Sequence, residues 1–339
     1  MQFKLGTFSG VGAAAPFPGL VIERAGENAE RVVPLARTEA LLQRLNLQLG
    51  QPGRPTTQPG RQPDSLLSLL DAWEANFQAL AIVCETFPRE LAHGAIPIDE
   101  LHARAPIDPP RQIFCTIANY RSHIIETILD AGESPDTAEK TIEERLRGAP
   151  YACFKLPSTV IGPTDPLELP RHAQRVDWEL ELGVVIGRKA RRVSRTEAMS
   201  YVAGYVMVND ITARDQVRRS DVPAMGTDWL QSKNAPGFLP MGPYFVPAAF
   251  LPNPYELRLT LSVNDRPRQD GLVSDMLFDI AAQIEYISQH AQLLPGDVIC
   301  TGTPAGCGTH YKRYLQPGDV MHASIPGLGA QHTPCIGAS

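Results

Sequence analysis

The most constraining feature of the sequence is a run over residues 177–186 that begins with Asp177 and then places two glutamates, Glu179 and Glu181, among apolar residues. If this run is a β-strand, its side chains alternate between two faces, so both carboxylates point the same way, about 7 Å apart. Two carboxylates beside apolar side chains repel each other and are costly to desolvate unless a cation or a proton neutralises them. The run therefore indicates either a divalent-metal site or an edge strand whose acids face solvent.

A third acid, Asp210, follows a second apolar strand candidate over residues 201–209. Carboxylates at strand ends are well placed to face a shared site. Three oxygen ligands without Cys or His suit Mg²⁺ or Mn²⁺, with positions left open for water and substrate. The predicted metal ligands are thus Glu179, Glu181 and Asp210. The alternative for Asp210 is a residue that forms the turn after the strand.

His123 and Glu126 are spaced so that they share one face of a helical turn. A carboxylate beside an imidazole fixes its tautomer and raises its basicity, which makes the pair a candidate general base for activating water. The same spacing also fits an ordinary surface hydrogen bond. Two further candidates are Lys233 and the loop 301–306, which either donate to an anionic substrate or are a solvated lysine and a plain turn.

Charge and composition argue against several functional classes. The 339 residues include 31 Lys+Arg against 37 Asp+Glu, for a net charge of -6, so nucleic-acid binding is not expected. There is no run of about 18 apolar residues, so no membrane partner is expected either. The six cysteines form no C-x-x-C pair and are predicted to be reduced thiols of the core. These features predict a soluble cytoplasmic protein.

The pattern of the chain changes near residue 105. Residues 1–105 combine short apolar runs, a Pro/Gly-rich loop over 50–64 and an amphipathic helix over 65–87, which predicts a small N-terminal α+β domain. Residues 106–339 predict a β-rich α+β domain. Its strand candidates are 113–118, 179–187, 201–209, 257–263 and 297–300, and its helices begin near Ser194 and cover 276–290. The polar segment 127–150 is interpreted as either a solvated helix or a mobile lid.

Several short motifs also follow one another in order between residues 113 and 329. They are Asn119-Tyr120 with His123 and Glu126, Phe154-Lys155, Glu179-Leu180-Glu181-Leu182, Asn209-Asp210, Ala213-Arg214-Asp215, Lys233, Met241-Gly242-Pro243, and Thr301-Gly302-Thr303-Pro304-Ala305-Gly306. In order and spacing this set resembles the fumarylacetoacetate hydrolase family. The resemblance implies that family's mixed β-sandwich roll, of the fumarylacetoacetase C-terminal-like type, and a homodimer.

The resemblance also implies roles for individual residues. A Mg²⁺ or Mn²⁺ ion would be held by Glu179, Glu181 and Asp210, while His123 and Glu126 would form a catalytic dyad. The remaining assignments are Lys233 as catalytic, and Tyr120, Arg214, Gly302 and Thr303 as substrate-binding. Two departures from the family pattern, Ile117 and residues 234–237, bear on substrate choice and leave the metal ligands unchanged.

The function that the resemblance implies is metal-dependent hydrolysis of a carbon–carbon bond in a 1,3-dicarbonyl acid of the acylpyruvate or fumarylpyruvate type. The same site would serve an oxaloacetate-type decarboxylase or a 2-keto acid hydratase, lyase or isomerase, and the sequence leaves these alternatives open. A non-catalytic ligand-binding protein is a third alternative. The expected partner is a small anionic keto acid, which local cations must attract because the net charge is -6.

Overall fold

The computed structural model describes residues 2–10, 15–23, 30–50 and 64–338. Its helices are α1 (Glu39–Arg44), α2 (Leu66–Leu70), α3 (Trp73–Thr86), α4 (Pro88–Ala92), α5 (Arg121–Asp130), α6 (Pro135–Leu146), α7 (Arg195–Ala198), α8 (Trp229–Lys233), α9 (Ile280–His290) and α10 (Gly308–Tyr311). Nearly all of the predicted loop over 50–64 lies outside the described residues. No helix in the described ranges is long and apolar enough to cross a membrane.

The strands follow the predicted β-rich pattern. They are β1 (Lys4–Gly10), β2 (Phe17–Glu23), β3 (Glu30–Pro34), β4 (Ile96–Pro97), β5 (Leu101–Arg104), β6 (Ile113–Thr116), β7 (Ala152–Lys155), β8 (Val160–Ile161), β9 (Leu167–Leu169), β10 (Val176–Asp177), β11 (Leu180–Ile186), β12 (Val202–Asn209), β13 (Thr212–Ala213), β14 (Leu239–Pro247), β15 (Arg258–Val263), β16 (Arg266–Leu272), β17 (Val298–Cys300), β18 (Val320–Ile325) and β19 (Gly329–Gly337). Each of the five strands predicted from the sequence is present, shortened at one or both ends.

One large mixed sheet carries the candidate site. Its order is β4-β3-β2-β1-β14-β12-β11-β17-β6-β7, with β5 added beside β1 and β8 beside β14. β11 is antiparallel to both β12 and β17, and β17 is parallel to β6. Every residue of β11 is buried, because neighbouring strands flank it and both faces are covered. The edge-strand alternative for Glu179 and Glu181 is therefore wrong.

A second sheet packs against the first and closes the core. Its order is β16-β15-β18-β19-β9. One apolar cluster contains Leu182 and Val184 of the large sheet together with Leu261 and Met321 of the smaller one. Across the same boundary, the buried Gln269 amide oxygen accepts a hydrogen bond of 2.9 Å from the Leu180 N–H. The predicted fold class, a β-rich α+β sandwich roll, is confirmed.

The N-terminal segment extends the large sheet. β1 pairs antiparallel with β14, with Leu5 opposite Phe245. The ring of Trp73 meets the ring of Phe245 edge-on, with centroids 5.0 Å apart. Residues before 105 thus share a sheet and a core with residues after it, and the division of the chain into two domains at 105 stays a prediction.

Two predicted helical segments are divided in the structure. The helix predicted over 65–87 is observed as α2 and α3, because Ala72 lies between them in a non-helical conformation (φ -129°, ψ 46°). The polar segment 127–150 contains the end of α5 and all of α6, which pack against each other. The side chain of Ser134 caps α6 by accepting a hydrogen bond from the Thr137 N–H. A lid function for this helix pair stays a prediction.

Candidate active site

The three predicted metal ligands converge at the ends of β11 and β12. The pairing of these strands sets Glu181 opposite Val208 and brings Asp210 beside Glu179, whose carbonyl accepts a 2.8 Å hydrogen bond from the Asp210 N–H. One carboxylate oxygen from each of Glu179, Glu181 and Asp210 lies within 4.8 Å of the others. All three side chains are buried and line a cavity of about 70 Å³.

Buried cations hold two of these carboxylates. Lys233 Nζ donates to Glu179 Oε2 at 2.8 Å and to Asp210 Oδ2 at 2.6 Å, while Lys155 Nζ donates to Asp210 Oδ1 at 2.5 Å. Arg214 donates to Glu179 Oε1 at 2.6 Å. Burial by itself would raise the pKa of both acids, but the neighbouring cations outweigh it, so the pKa of Glu179 and that of Asp210 are lowered. Both carboxylates are therefore ionised.

Glu181 has no such cation in the part of the chain that the structure describes. Among the described residues its hydrogen-bond partner is the Gly302 N–H, 2.7 Å from Oε2. Burial first, and then repulsion from Asp210 and Glu179, raises the pKa of Glu181 well above its usual range. Ionising this buried carboxyl group without a partner would cost free energy, and a cation beside it would remove that cost.

The donor set fits a hard divalent cation. Four clustered carboxylates, including Asp177, which accepts a 2.8 Å hydrogen bond from Arg214, face three cationic side chains. Among the described residues, Glu181 is the one of the four that no cationic side chain contacts, and a bound cation would favour its ionised form. Because the converging donors are all carboxylate oxygens, Mg²⁺ or Mn²⁺ suits them better than a thiophilic metal. Glu179, Glu181 and Asp210 are the residues that would hold the ion.

His123 lies where two cavities meet. It lines the 70 Å³ cavity and also a neighbouring cavity of about 640 Å³, which Arg175 and Arg218 line as well. Burial, and then the charge of Arg214, lowers the pKa of His123, so its imidazole is neutral at pH 7. Its Nδ1 is 3.9 Å from Cys307 Sγ, and its Nε2 has no hydrogen-bond partner among the described residues.

Glu126 makes its hydrogen bonds to the backbone rather than to His123 in the described part of the chain. Both its carboxylate oxygens accept hydrogen bonds of 2.9 Å from the Gly306 N–H, and Oε1 is 3.6 Å from His310 Nδ1. Burial raises the pKa of Glu126. In the part of the chain that the structure describes, no hydrogen bond joins the two members of the predicted dyad, and their joint catalytic role stays a prediction.

The predicted substrate-binding residues are only partly brought together. Arg214, Gly302 and Thr303 line the 70 Å³ cavity, but Tyr120 is fully buried and does not. The Gly302 N–H is occupied by Glu181, and the Thr303 hydroxyl donates to the Leu180 carbonyl at 2.8 Å. Gly302 and Thr303 thus hold the ligand-bearing strand in place, and their contact with substrate stays a prediction.

Three residues of the site were not predicted as site residues from the sequence: Lys155, Asp177 and Cys307. Lys155 belongs to one of the recognised motifs, yet nothing local predicts that its ammonium group is buried against Asp210. Asp177 begins the acidic run, and its oxygens accept hydrogen bonds from Arg214 and from the Gly308 and Thr309 N–H groups. Cys307 directly follows the loop 301–306. The position of Asp177 next to the two acids was the one local signal available.

Comparison with known proteins shows the family to which the chain is related. Residues 112–335 match the family described as Fumarylacetoacetate (FAA) hydrolase C-terminal. The 2,4-didehydro-3-deoxy-L-rhamnonate hydrolase of Sphingomonas sp. (strain SKA58) is 36% identical over 243 residues, which cover 70% of this chain and 78% of that protein. The mitochondrial oxaloacetate tautomerase FAHD2A of Homo sapiens is 32% identical over 270 residues, covering 79% and 78%.

A solved structure supports the same relationship. The fumarylacetoacetate hydrolase from psychrophilic Exiguobacterium antarcticum superposes with a TM-score of 0.70 at 27% identity, covering 99% of this chain and 100% of that one. The match therefore includes the N-terminal segment as well as the two packed sheets. With a family match over residues 112–335 and enzymes among its relatives, the chain belongs to the fumarylacetoacetate hydrolase family.

Proposed function

We propose that the protein is a divalent-metal-dependent hydrolase that cleaves a carbon–carbon bond in a 1,3-dicarbonyl acid of the acylpyruvate or fumarylpyruvate type. The observation that carries this proposal is that His123, whose imidazole is neutral, lines the same cavity as the three converging carboxyl groups of Glu179, Glu181 and Asp210. The relative named as a hydrolase, at 36% identity, supports hydrolysis.

The metal and the protein have separate tasks in this proposal. Mg²⁺ or Mn²⁺ held by Glu179, Glu181 and Asp210 supplies Lewis acidity toward substrate oxygens when it is bound. Lys233 adds positive charge at the same place, which stabilises negative charge as it develops on the substrate. Arg175, Arg214 and Arg218 around the larger cavity attract an anionic acid despite the net charge of -6.

His123 is the proton acceptor. Its free Nε2 takes a proton from water, and the resulting hydroxide adds to the acyl carbonyl carbon. The adduct then breaks its carbon–carbon bond, releasing a carboxylic acid and the enolate of a 2-keto acid. The imidazolium of His123 returns its proton to the enolate carbon, so the base is regenerated. Glu126, one helical turn from His123 on α5, would assist by turning its carboxylate toward the imidazole when substrate binds, and the 127–150 helix pair would close over the cavity.

To test this proposal, the protein is incubated with a panel of acylpyruvates and with oxaloacetate. The reaction is monitored by the loss of enol absorbance, and the products are identified. Reactions contain Mg²⁺ or a chelator in parallel. Release of pyruvate and a free acid that stops with the chelator is the expected result. Loss of enol absorbance without any free acid, or carbon dioxide from oxaloacetate alone, would contradict hydrolysis.

A second candidate is keto–enol isomerisation of a 2-keto acid. The separation of Glu126 from His123 favours it, because moving a proton between two atoms of one substrate needs a base but no activated water. The relative named as an oxaloacetate tautomerase gives independent support. Decarboxylation, hydration and lyase chemistry on the same site have no comparable observation in their favour. A homodimer and a cytoplasmic location are proposed on the family resemblance and the composition.

A further inference from the structure

We propose that His123, Cys307 and Glu179 form a second metal site, specific for thiophilic divalent cations such as Zn²⁺. One ligand atom from each of the three side chains lies within 4.8 Å of the other two. Imidazole, thiolate and carboxylate together are a donor set that zinc prefers, whereas Mg²⁺ rarely accepts sulfur or nitrogen. The site is distinct in chemistry from the all-oxygen cluster, with which it shares Glu179.

The distance between the sulfur and nitrogen donors suits a tetrahedral ion. Cys307 Sγ lies 3.9 Å from His123 Nδ1. With zinc–sulfur and zinc–nitrogen bonds of about 2.3 and 2.0–2.1 Å, sulfur and nitrogen ligands of a tetrahedral ion are about 3.5 Å apart. The observed separation needs to shorten by only a few tenths of an ångström. A water from the adjoining cavity would take the fourth position.

The backbone around Cys307 is held on both sides. The Gly306 N–H donates to Glu126, and the Gly308 N–H donates to Asp177 Oδ1 at 2.6 Å. Gly306 has a φ of +98°, and a Cβ there would lie 2.0 Å from the Arg268 carbonyl oxygen. A residue with a side chain would therefore not fit at position 306 without a shift of the backbone. Cys307 is thus presented at a fixed position, as a preorganised ligand requires.

An ion can reach the site from the larger cavity. Cys307 and His123 both line the 640 Å³ cavity, although Cys307 is only 1% exposed. Asp177, Glu179 and Glu126 surround the position with negative charge, partly offset by Arg214. Binding replaces the thiol proton by the metal, and the proton leaves to solvent through the same cavity.

Occupation of this site would switch off the proposed reaction. The cation would hold His123 as a ligand and draw Glu179 away from the oxygen cluster, so neither a free base nor a complete hard-cation site would remain. This consequence rests on the proposed function, but binding itself does not. Zinc would therefore inhibit where Mg²⁺ activates.

Cobalt(II) tests binding without any enzymatic assay, because a cobalt–thiolate bond gives an intense near-ultraviolet charge-transfer band. Protein from which bound metal has been removed is first given excess Mg²⁺ to fill the all-oxygen cluster. It is then titrated with Co²⁺, and Zn²⁺ is added last. We expect the band to saturate at one Co²⁺ per chain and to disappear when Zn²⁺ displaces it. Cys307→Ser and Cys307→Val should abolish the band, and His123→Gln should weaken Co²⁺ binding at least tenfold.

The matched control is Cys335→Ser, which removes another buried thiol outside the site and should leave the band intact. No band in the parent protein, or a band that persists in folded Cys307 variants, overturns the proposal. If both Cys307 variants fail to fold, the His123→Gln variant provides the test. An unchanged Co²⁺ affinity of that variant would also overturn the proposed site. If the parent protein binds Co²⁺ through Cys307 but has no hydrolase activity, the proposed function is wrong and the second metal site stands.

Discussion

The ammonium group of Lys155 lies 2.5 Å from Asp210 Oδ1, and both side chains are almost completely shielded from solvent. Lys155 comes from β7 at one edge of the large sheet, whereas Asp210 follows β12 in its interior. Lys155 Nζ also donates to the Ile211 carbonyl at 3.0 Å. This buried ion pair joins distant parts of the sheet at the carboxylate cluster.

Replacing Lys155 by Met should destabilise the protein. The substitution leaves the buried Asp210 with Lys233 as its remaining cation, and an undercompensated buried charge costs about 3 kcal/mol. Urea unfolding at pH 7 would measure the loss in the free energy of unfolding. Lys140→Met, at an exposed position of α6, is the matched control and should change little. Equal effects of the two substitutions would argue against the buried pair.

Glu181→Gln should stabilise the metal-free protein while removing its response to Mg²⁺. The raised pKa of Glu181 means that its ionised form disfavours folding, and this cost grows as pH rises above the ordinary carboxyl pKa. The gain at pH 8 should be about 1–3 kcal/mol in a chelator. Thermal melts with and without Mg²⁺ measure both effects. Exposed Glu168→Gln is the control, and a Mg²⁺ shift that survives in Glu181→Gln would exclude Glu181 as a ligand.

His123→Gln should lower turnover about 10²–10⁴-fold, as expected for loss of a general base, while Mg²⁺ affinity is kept. Because the pKa of His123 is lowered, its basic form persists at neutral pH. The rate of the parent enzyme should therefore fall only as pH drops below the ordinary histidine range. Measurement of kcat/KM against pH, with His93→Gln as an exposed-histidine control, checks this. Weakened Mg²⁺ binding with unchanged turnover would instead identify His123 as a ligand of the hard cation.

Asp297→Asn should increase stability at alkaline pH. Burial raises the pKa of Asp297 to about 6, and one of its oxygens, Oδ1, has no hydrogen-bond partner among the described residues. The folded protein thus binds the proton more tightly than the unfolded chain, so stability falls as pH rises from about 4 through 6. The variant should gain about 1–2 kcal/mol at pH 8 and nothing at pH 4. Urea unfolding at both pH values measures the free energy of unfolding of the variant and of the parent protein. If the two proteins differed by the same amount at pH 4 and pH 8, the effect would come from hydrogen bonding and not from the titration of Asp297.

The parts of the structure that depend on local pattern could be predicted from the sequence. Apolar and β-branched runs predicted β11, β12 and β17, because alternation and propensity act within a few residues. The acids Glu179, Glu181 and Asp210 could be recognised as one site from their positions in and after those strands. The order of the motifs was enough to identify the family.

Which side chains meet at the site depends on how distant parts of the chain pack together. The pairing of β1 with β14, the burial of Lys155 against Asp210, and the hydrogen bond from the Gly306 N–H to Glu126 all join residues that are distant in the sequence. Contacts of this kind depend on strand order, on register and on the volume of neighbouring side chains, none of which is encoded in a short stretch of sequence. For the same reason the sequence alone indicated a metal site, while the distribution of charge within it, and Cys307 beside His123, emerged only from the fold.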